Sequence, residues 1–445
     1  MQQVQTLIHG KTIIPVGASA DNSFSDGNRV LKDYSIAIQD GRILDIIPTS
    51  SANKTYTSKS TLSYDHHIII PGLINTHTHA AMTLFRGLAS DMHLMDWLEN
   101  HIWPAEQKWV NEDFVKLGTQ LAIAEMLRGG VTCFNDMYFF AETTAQVAAK
   151  SGIRAHLGMI LLDFPTQYAS CADEYFAKGL AMHDQFKTHP LVKCTFAPHA
   201  PYTVSDAVLQ RIAILANELE LCVHMHLHET RDEITQSIEQ YKVRPLQRLH
   251  DIGIVNSGLI AVHMTHLENQ EIELLAETNA NIVHCPQSNL KLASGFCPVQ
   301  QLIDKNINVA LGTDSCASND DLDILSEMQS AALLAKGVAN NAAALPAYET
   351  LRCATINAAE ALGIDQDTGS LEIGKSADLS VIDVDRLEAQ PIYDPIGHLV
   401  YATQRNQVSD VWVAGKHLLC NRELLSLDKA EILIKTKEWA QKISN

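Results

Sequence analysis

His77-Thr78-His79, His226 and Asp314 supply three imidazoles and a carboxylate, all groups of metal-ligand type, and each follows a short apolar run. Alternation along an extended chain sends residues i and i+2 to one face, so the two imidazoles of the His-x-His pair converge on one point. A third imidazole and a carboxylate arriving from distant segments would complete a site with room for a water molecule, as a catalytic zinc needs. The chemistry of such a site is hydrolysis, because a divalent cation lowers the pKa of bound water from ~16 towards ~7.

The elements that must position these groups are legible as eight apolar runs alternating with helical stretches, the pattern of βα units and a parallel sheet. The candidate strands are 68–75, 131–135, 153–160, 192–197, 221–227, 259–262, 281–283 and 308–312. Eight units predict a closed α/β barrel of TIM type, (β/α)8, with its active site at the carboxyl ends of the strands. Polar residues stand at those ends: His77 and His79, Asp136, His199, His226, His263, His284 and Asp314. His224 and His228 alternate with His226 and are expected to be hydrogen-bonded barrel residues beside the ligand. His266, three residues after His263, competes with it for the position facing the site.

The two ends of the chain use a different grammar. Residues 4–16, 34–48 and 66–70 cluster β-branched residues, with Gln39-Asp40-Gly41-Arg42 as a hairpin turn, and the runs 369–375, 377–382 and 411–416 return to it. The expected division is a small composite β-sandwich from residues 1–67 and 371–445, and a metal-dependent hydrolase barrel over 68–370.

A hydrophobic content of 46% in 445 residues is enough for a sizeable core, and a formal charge of −19 disfavours nucleic acid or an anionic membrane as a partner. Nine scattered cysteines, never spaced Cys-x-x-Cys, read as reduced and mostly buried thiols of a cytoplasmic protein. No basic start with an apolar stretch and no bilayer-length apolar run is present.

Pro71-Gly72-Leu73-Ile74-Asn75-Thr76-His77-Thr78-His79, His226-Leu227-His228-Glu229, His284-Cys285-Pro286-Gln287-Ser288-Asn289 and Leu311-Gly312-Thr313-Asp314-Ser315 resemble the amidohydrolase superfamily. Within it, Met82-Thr83-Leu84-Phe85-Arg86-Gly87, Trp103-Pro104-Ala105-Glu106 and Ala197-Pro198-His199-Ala200-Pro201-Tyr202 are most similar to the 5'-methylthioadenosine/S-adenosylhomocysteine deaminase family. The resemblance covers nearly the whole chain. It implies one divalent metal ion, zinc, on His77, His79, His226 and Asp314. The fourth strand carries no lysine at its end, where binuclear relatives have one, so a mononuclear site is expected.

Glu229, just past the strand that carries His226, is placed to exchange a proton with a substrate ring nitrogen. Asp314 is expected to pass the proton of the attacking water to the departing amine, and His263 to orient that water. The resemblance further implies that Glu106 grips ribose hydroxyls and that His199 contacts the nucleoside. Met82, Leu84, Phe85, Trp97 and Trp103 are candidates for an apolar wall. No arginine lies between Arg154 and Arg211, where members that accept S-adenosylhomocysteine are expected to hold its carboxylate, so a preference for 5'-methylthioadenosine is expected. A homo-oligomer is expected from the resemblance alone. Two other readings stand: a deaminase or dechlorinase of guanine-like or triazine rings, and a non-catalytic barrel scaffold.

Overall fold

A computed structural model describes residues 1–17 and 29–444. Eight parallel strands, Leu73–Thr78, Val131–Asp136, Arg154–Leu161, Val192–Pro198, Val223–Leu227, Leu259–His263, Asn281–His284 and Val309–Leu311, follow one another around a barrel in sequence order. Nearly every residue in them is buried, because helices cover the outside while side chains fill the inside. The apolar runs therefore show no clean alternation.

Closure between the eighth and first strands rests on three devices. Thr78 and Asp314 form a parallel bridge, and the Asp314 amide donates to the His77 carbonyl at 3.0 Å. The Asn75 amide stitches the same seam, donating to Thr313 Oγ1 at 2.8 Å and accepting from the Thr313 amide at 3.0 Å. Gly312 permits the close approach: a Cβ there would stand 2.8 Å from both Cβ and N of His77.

The chain ends share one eight-stranded sheet. Its spatial order is Glu423–Leu424, Lys416–Cys420, Val408–Val413, Leu379–Asp383, Tyr56–Pro71, Gln2–Ile13, Leu31–Gln39 and Arg42–Pro48. The sheet curls so that its Arg42–Pro48 edge meets the segment leading into Leu379–Asp383, with Gly374 and Ala377 amides donating to Ile43 and Gly41 carbonyls. Inside the curl, Trp412 packs with Ile8, Ile36, Ile38 and Leu379. The expected hairpin is present: Gln39 pairs with Arg42 across Asp40 and Gly41, whose φ angles of 52° and 78° define the two-residue turn.

Three local expectations are corrected. The run 68–75 is two strands, because Ile68–Pro71 finish the terminal-sheet strand, paired with Leu379–Ile382, before Leu73 opens the barrel. Residues 369–375 form no strand and connect by turns. The β-rich finish ends in a helix, Lys429–Ser444, whose Trp439 meets Phe114 edge-to-face at 5.5 Å. All nine cysteines are free, six of them buried. Among the described residues, no helix is long and apolar enough to cross a membrane.

Candidate active site

The first strand carries Asn75 and His77, and His79 follows directly after its last residue, Thr78; alternation sets the three on one face, toward the barrel interior. His226 arrives from the fifth strand and Asp314 just beyond the eighth, at a φ of 64° that turns its carboxylate back over the barrel mouth. One donor atom from each of the four lies within 4.8 Å of every other. Asp314 Oδ1 stands 3.2 Å from both His77 Nε2 and His79 Nε2, and His226 Nε2 stands 3.2 Å from the same two nitrogens.

That spacing fits a tetrahedral zinc. Donors about 2.0 Å from a common centre stand about 3.3 Å apart. The protons of the rings point the same way: His79 Nδ1 lies 2.5 Å from the Met137 carbonyl and His226 Nδ1 lies 2.8 Å from the His199 carbonyl, so each donates there. In the neutral imidazoles both Nε2 atoms then present lone pairs to one another, an arrangement that a cation between them makes favourable. His77 Nδ1 lies 2.9 Å from His224 Nε2, the barrel histidine beneath it. Asp314 Oδ2 accepts from Ser288 Oγ at 2.6 Å and Ser318 Oγ at 2.8 Å. Burial works to raise the Asp314 carboxyl, but His77 and His79 hold it well below the usual carboxylate range.

Above these donors opens a cavity of about 560 Å³. Glu229, His263, His199 and Glu106 line it together with His79, His226 and Asp314. Glu229 is buried, and desolvation raises its carboxyl; Oε2 lies 3.7 Å from His263 Nε2, and Oε1 accepts from Ser294 Oγ at 3.2 Å. Glu233 fixes its backbone by accepting the amides of His228 and Glu229 at 2.9 and 2.8 Å. His263 takes a φ of 77°, and its Nδ1 donates to Asn289 Oδ1 at 2.8 Å, which leaves Nε2 free to accept from a molecule in the cavity.

Glu106 sits half-buried on the helix Trp103–Trp109, and burial pushes its carboxyl up to about 7 against the neighbouring Tyr138 hydroxyl. His199 lies beside His226 with ring centroids 4.8 Å apart, and burial lowers it to about 3, so it enters the cavity as a neutral ring. The outer cavity is apolar: Leu94, Trp97, Leu98, Ile102, Trp103 and Phe164. Among the described lining residues there is no lysine or arginine.

Several sequence expectations part company with this geometry. His266 turns away, with Nε2 2.7 Å from the Ser294 carbonyl, so His263 alone of that pair lines the cavity. His228 leaves the strand at a φ of 53° and braces a loop, its Nδ1 3.0 Å from the His266 carbonyl and its Nε2 accepting from the Leu246 amide. Asp136 accepts from Thr78 Oγ1 and the Ala80 amide, so it pins the turn after His79 and does not line the cavity. His284 is buried at the end of the seventh strand, also outside the lining. Phe85 packs against Phe114 in a separate core, their rings tilted by 41°, and of the proposed apolar wall only Met82, Trp97 and Trp103 reach the cavity. Asn289, Ser288, Ser318 and Ser294 carry no spacing signal of their own, although two of them fall within the quoted His-Cys-Pro-Gln-Ser-Asn segment.

A parallel barrel with three imidazoles and a carboxylate converging at its C-terminal mouth, under a cavity holding a buried glutamate, defines a zinc-dependent hydrolase of the barrel class. The chain belongs to the amidohydrolase family, whose sequence profile matches residues 68–418. It is 49% identical over 415 residues to a 5-methylthioadenosine/S-adenosylhomocysteine deaminase of Teredinibacter turnerae, covering 93% of this chain and 94% of that one. It is 39% identical over 414 residues to a 5'-deoxyadenosine deaminase of Methanosarcina barkeri, covering 93% and 94% respectively. The crystal structure of an adenosine deaminase from Xanthomonas campestris with bound zinc superposes with a TM-score of 0.97 at 48% identity, covering 100% of this chain and 99% of that one.

Proposed function

We propose that the protein hydrolytically deaminates adenosine-type nucleosides, replacing the 6-amino group by a keto oxygen with release of ammonia, and that 5'-methylthioadenosine is its preferred substrate. The observation that carries this reading is the placement of Glu229, buried and raised, 3.7 Å from His263 at the edge of a four-donor cluster. His77, His79, His226 and Asp314 would hold the zinc, which when bound would supply the Lewis acid that makes water nucleophilic at neutral pH.

The roles of the chain's own residues follow from position. The raised Glu229 carboxyl donates a proton to the purine ring nitrogen beside the reacting carbon, making that carbon electrophilic. His263 Nε2, its tautomer fixed by Asn289, accepts a hydrogen bond from the attacking water and orients it. Asp314, steadied by the two serine hydroxyls on Oδ2, takes one water proton and returns it to the departing amine, and the proton left on the C6 hydroxyl passes to Glu229 as the keto oxygen forms, restoring its carboxyl. Glu106, when ionised, accepts both ribose hydroxyls in charge-assisted hydrogen bonds, and neutral His199 packs against the nucleoside. The apolar outer cavity accepts a methylthio group and offers a carboxylate no cation.

Product release from zinc-replete protein, followed as ammonia from 5'-methylthioadenosine, S-adenosylhomocysteine, adenosine and guanine and as chloride from a chlorotriazine, tests reaction and substrate together. Turnover of the nucleosides with the highest kcat/KM for the methylthio compound is expected. Turnover of guanine or the triazine alone would replace this reading by another hydrolase of the same metal chemistry, and inactivity with zinc bound would leave the scaffold.

A further inference from the structure

Away from the barrel mouth, one other group of metal-ligand type comes together among the described residues: Asp410, His417 and Cys420, with a donor atom of each within 4.8 Å of the others. The three lie on the hairpin formed by Val408–Val413 and Lys416–Cys420 in the terminal sheet. Residues three apart on a strand normally face opposite sides. Here the register slips between Val411, which pairs with Leu419, and Trp412, which pairs with His417. The extra residue of this bulge turns His417 and Cys420 to the same face, and the register sets Cys420 opposite Asp410.

The side chains are held as ligands are held. The His417 ring stacks on Trp412 with centroids 3.9 Å apart and planes 10° from parallel, which aims Nε2 at Asp410 Oδ1, 2.9 Å away. Asp410 is 2% exposed, and its second oxygen, Oδ2, is buried and makes no well-aligned hydrogen bond, although the Tyr64 and Ser409 hydroxyls and the Cys420 thiol interact with the carboxylate. A buried carboxylate oxygen without a well-aligned donor is costly unless a cation or proton satisfies it. His417 and Cys420 are partly exposed, leaving a route from solvent and a place for a water ligand.

We propose that Asp410, His417 and Cys420 form a second, structural metal site that takes a divalent transition ion of borderline softness, zinc above all. The mixed oxygen, nitrogen and sulfur set excludes magnesium and calcium, which require oxygen donors throughout. Burial and the neighbouring Asp410 carboxylate raise the Cys420 thiol, so the metal-free hairpin carries S–H. On binding, the S–H bond breaks, a sulfur–metal bond forms and the proton goes to solvent. The ion clamps the bulged hairpin and takes no part in turnover.

Protein produced with cobalt in place of zinc tests the site. The barrel cluster offers only nitrogen and oxygen donors, so a thiolate-to-cobalt charge-transfer band in the near ultraviolet reports the hairpin alone. Wild-type protein is expected to show the band and a second cobalt per chain, and Cys420→Ser to lose both while retaining deaminase activity. No band in a wild-type protein whose barrel site is loaded, or a band that survives in Cys420→Ser, overturns the proposal and leaves an ordinary histidine–aspartate pair beside a thiol. If Cys420→Ser does not fold, alkylation decides: zinc is expected to slow modification of wild-type Cys420 by about tenfold or more, with the exposed Cys171 unaffected. Equal Cys420 rates with and without zinc overturn it.

Discussion

Replacing Phe164 by arginine is expected to shift the enzyme from 5'-methylthioadenosine towards S-adenosylhomocysteine. Phe164 is 39% exposed at the cavity mouth, its ring 6.4 Å from that of Trp103. In the wild-type chain the homocysteine carboxylate enters a region of leucine, isoleucine, tryptophan and phenylalanine with no cation to meet it. A hydrogen bond to a charged group contributes about 1.5–3 kcal/mol, so its absence disfavours the larger substrate by roughly 10- to 100-fold in kcat/KM. The mouth is partly open to water, which keeps the penalty well below that of a fully buried unpaired charge. An arginine at 164 can stack on Trp103 and present its guanidinium to the carboxylate, restoring about 1.4 kcal/mol or more, a tenfold change. Initial rates of ammonia release over a range of both substrates measure the ratio, and the gain is expected in KM. Equal or reversed kcat/KM values in the wild type, or a ratio that Phe164→Arg moves by less than about twofold, would refute the argument from the missing cation.

Glu229→Gln is expected to lower kcat by about 10²- to 10⁴-fold with zinc content unchanged, as metal analysis beside steady-state kinetics will show. Asn289→Leu removes the acceptor that fixes the His263 tautomer, and a fall in kcat of roughly 10- to 100-fold with little change in KM is expected. The Glu106 carboxyl titrates near 7, so its ionised, ribose-binding form is present above that pH and is lost below it. The acid limb of the kcat/KM profile should therefore rise through about 7 and disappear in Glu106→Gln. Gly312→Ala forces a methyl against the backbone and Cβ of His77, and a stability loss of about 1–3 kcal/mol in denaturant unfolding is expected.

The barrel was legible because strands buried on both faces read as short, continuous apolar runs, and the four donors because each falls within four residues of the end of such a run. Glu229 and His263 were legible for the same reason. What the runs do not encode is where one sheet ends and another begins. Ile68, Ile69 and Ile70 are as apolar as Leu73 and Ile74, and only pairing with Leu379–Ile382 shows that the chain changes sheets at Pro71-Gly72. The Asn289 contact with His263 and the Ser288 contact with Asp314 depend on how segments 26 residues apart are brought side by side by barrel register. His228 escaped because alternation assumes an extended strand, and its positive φ ends the strand one residue earlier. The terminal helix did carry a signal, Ile432, Trp439 and Ile443 at helical spacing, but the preceding strands suggested more sheet.

The strand Tyr56–Pro71, which delivers the chain into His77 and His79, is bordered on one side by Gln2–Ile13 and on the other by Leu379–Asp383, about 300 residues downstream. During synthesis, that second border does not exist until nearly the entire polypeptide has left the ribosome. The root of the catalytic strand must wait, one flank unzipped, while the barrel is assembled beyond it. Shortening the chain from its C-terminal end is thus felt at the histidine pair, far from the cut in sequence and next to it in space.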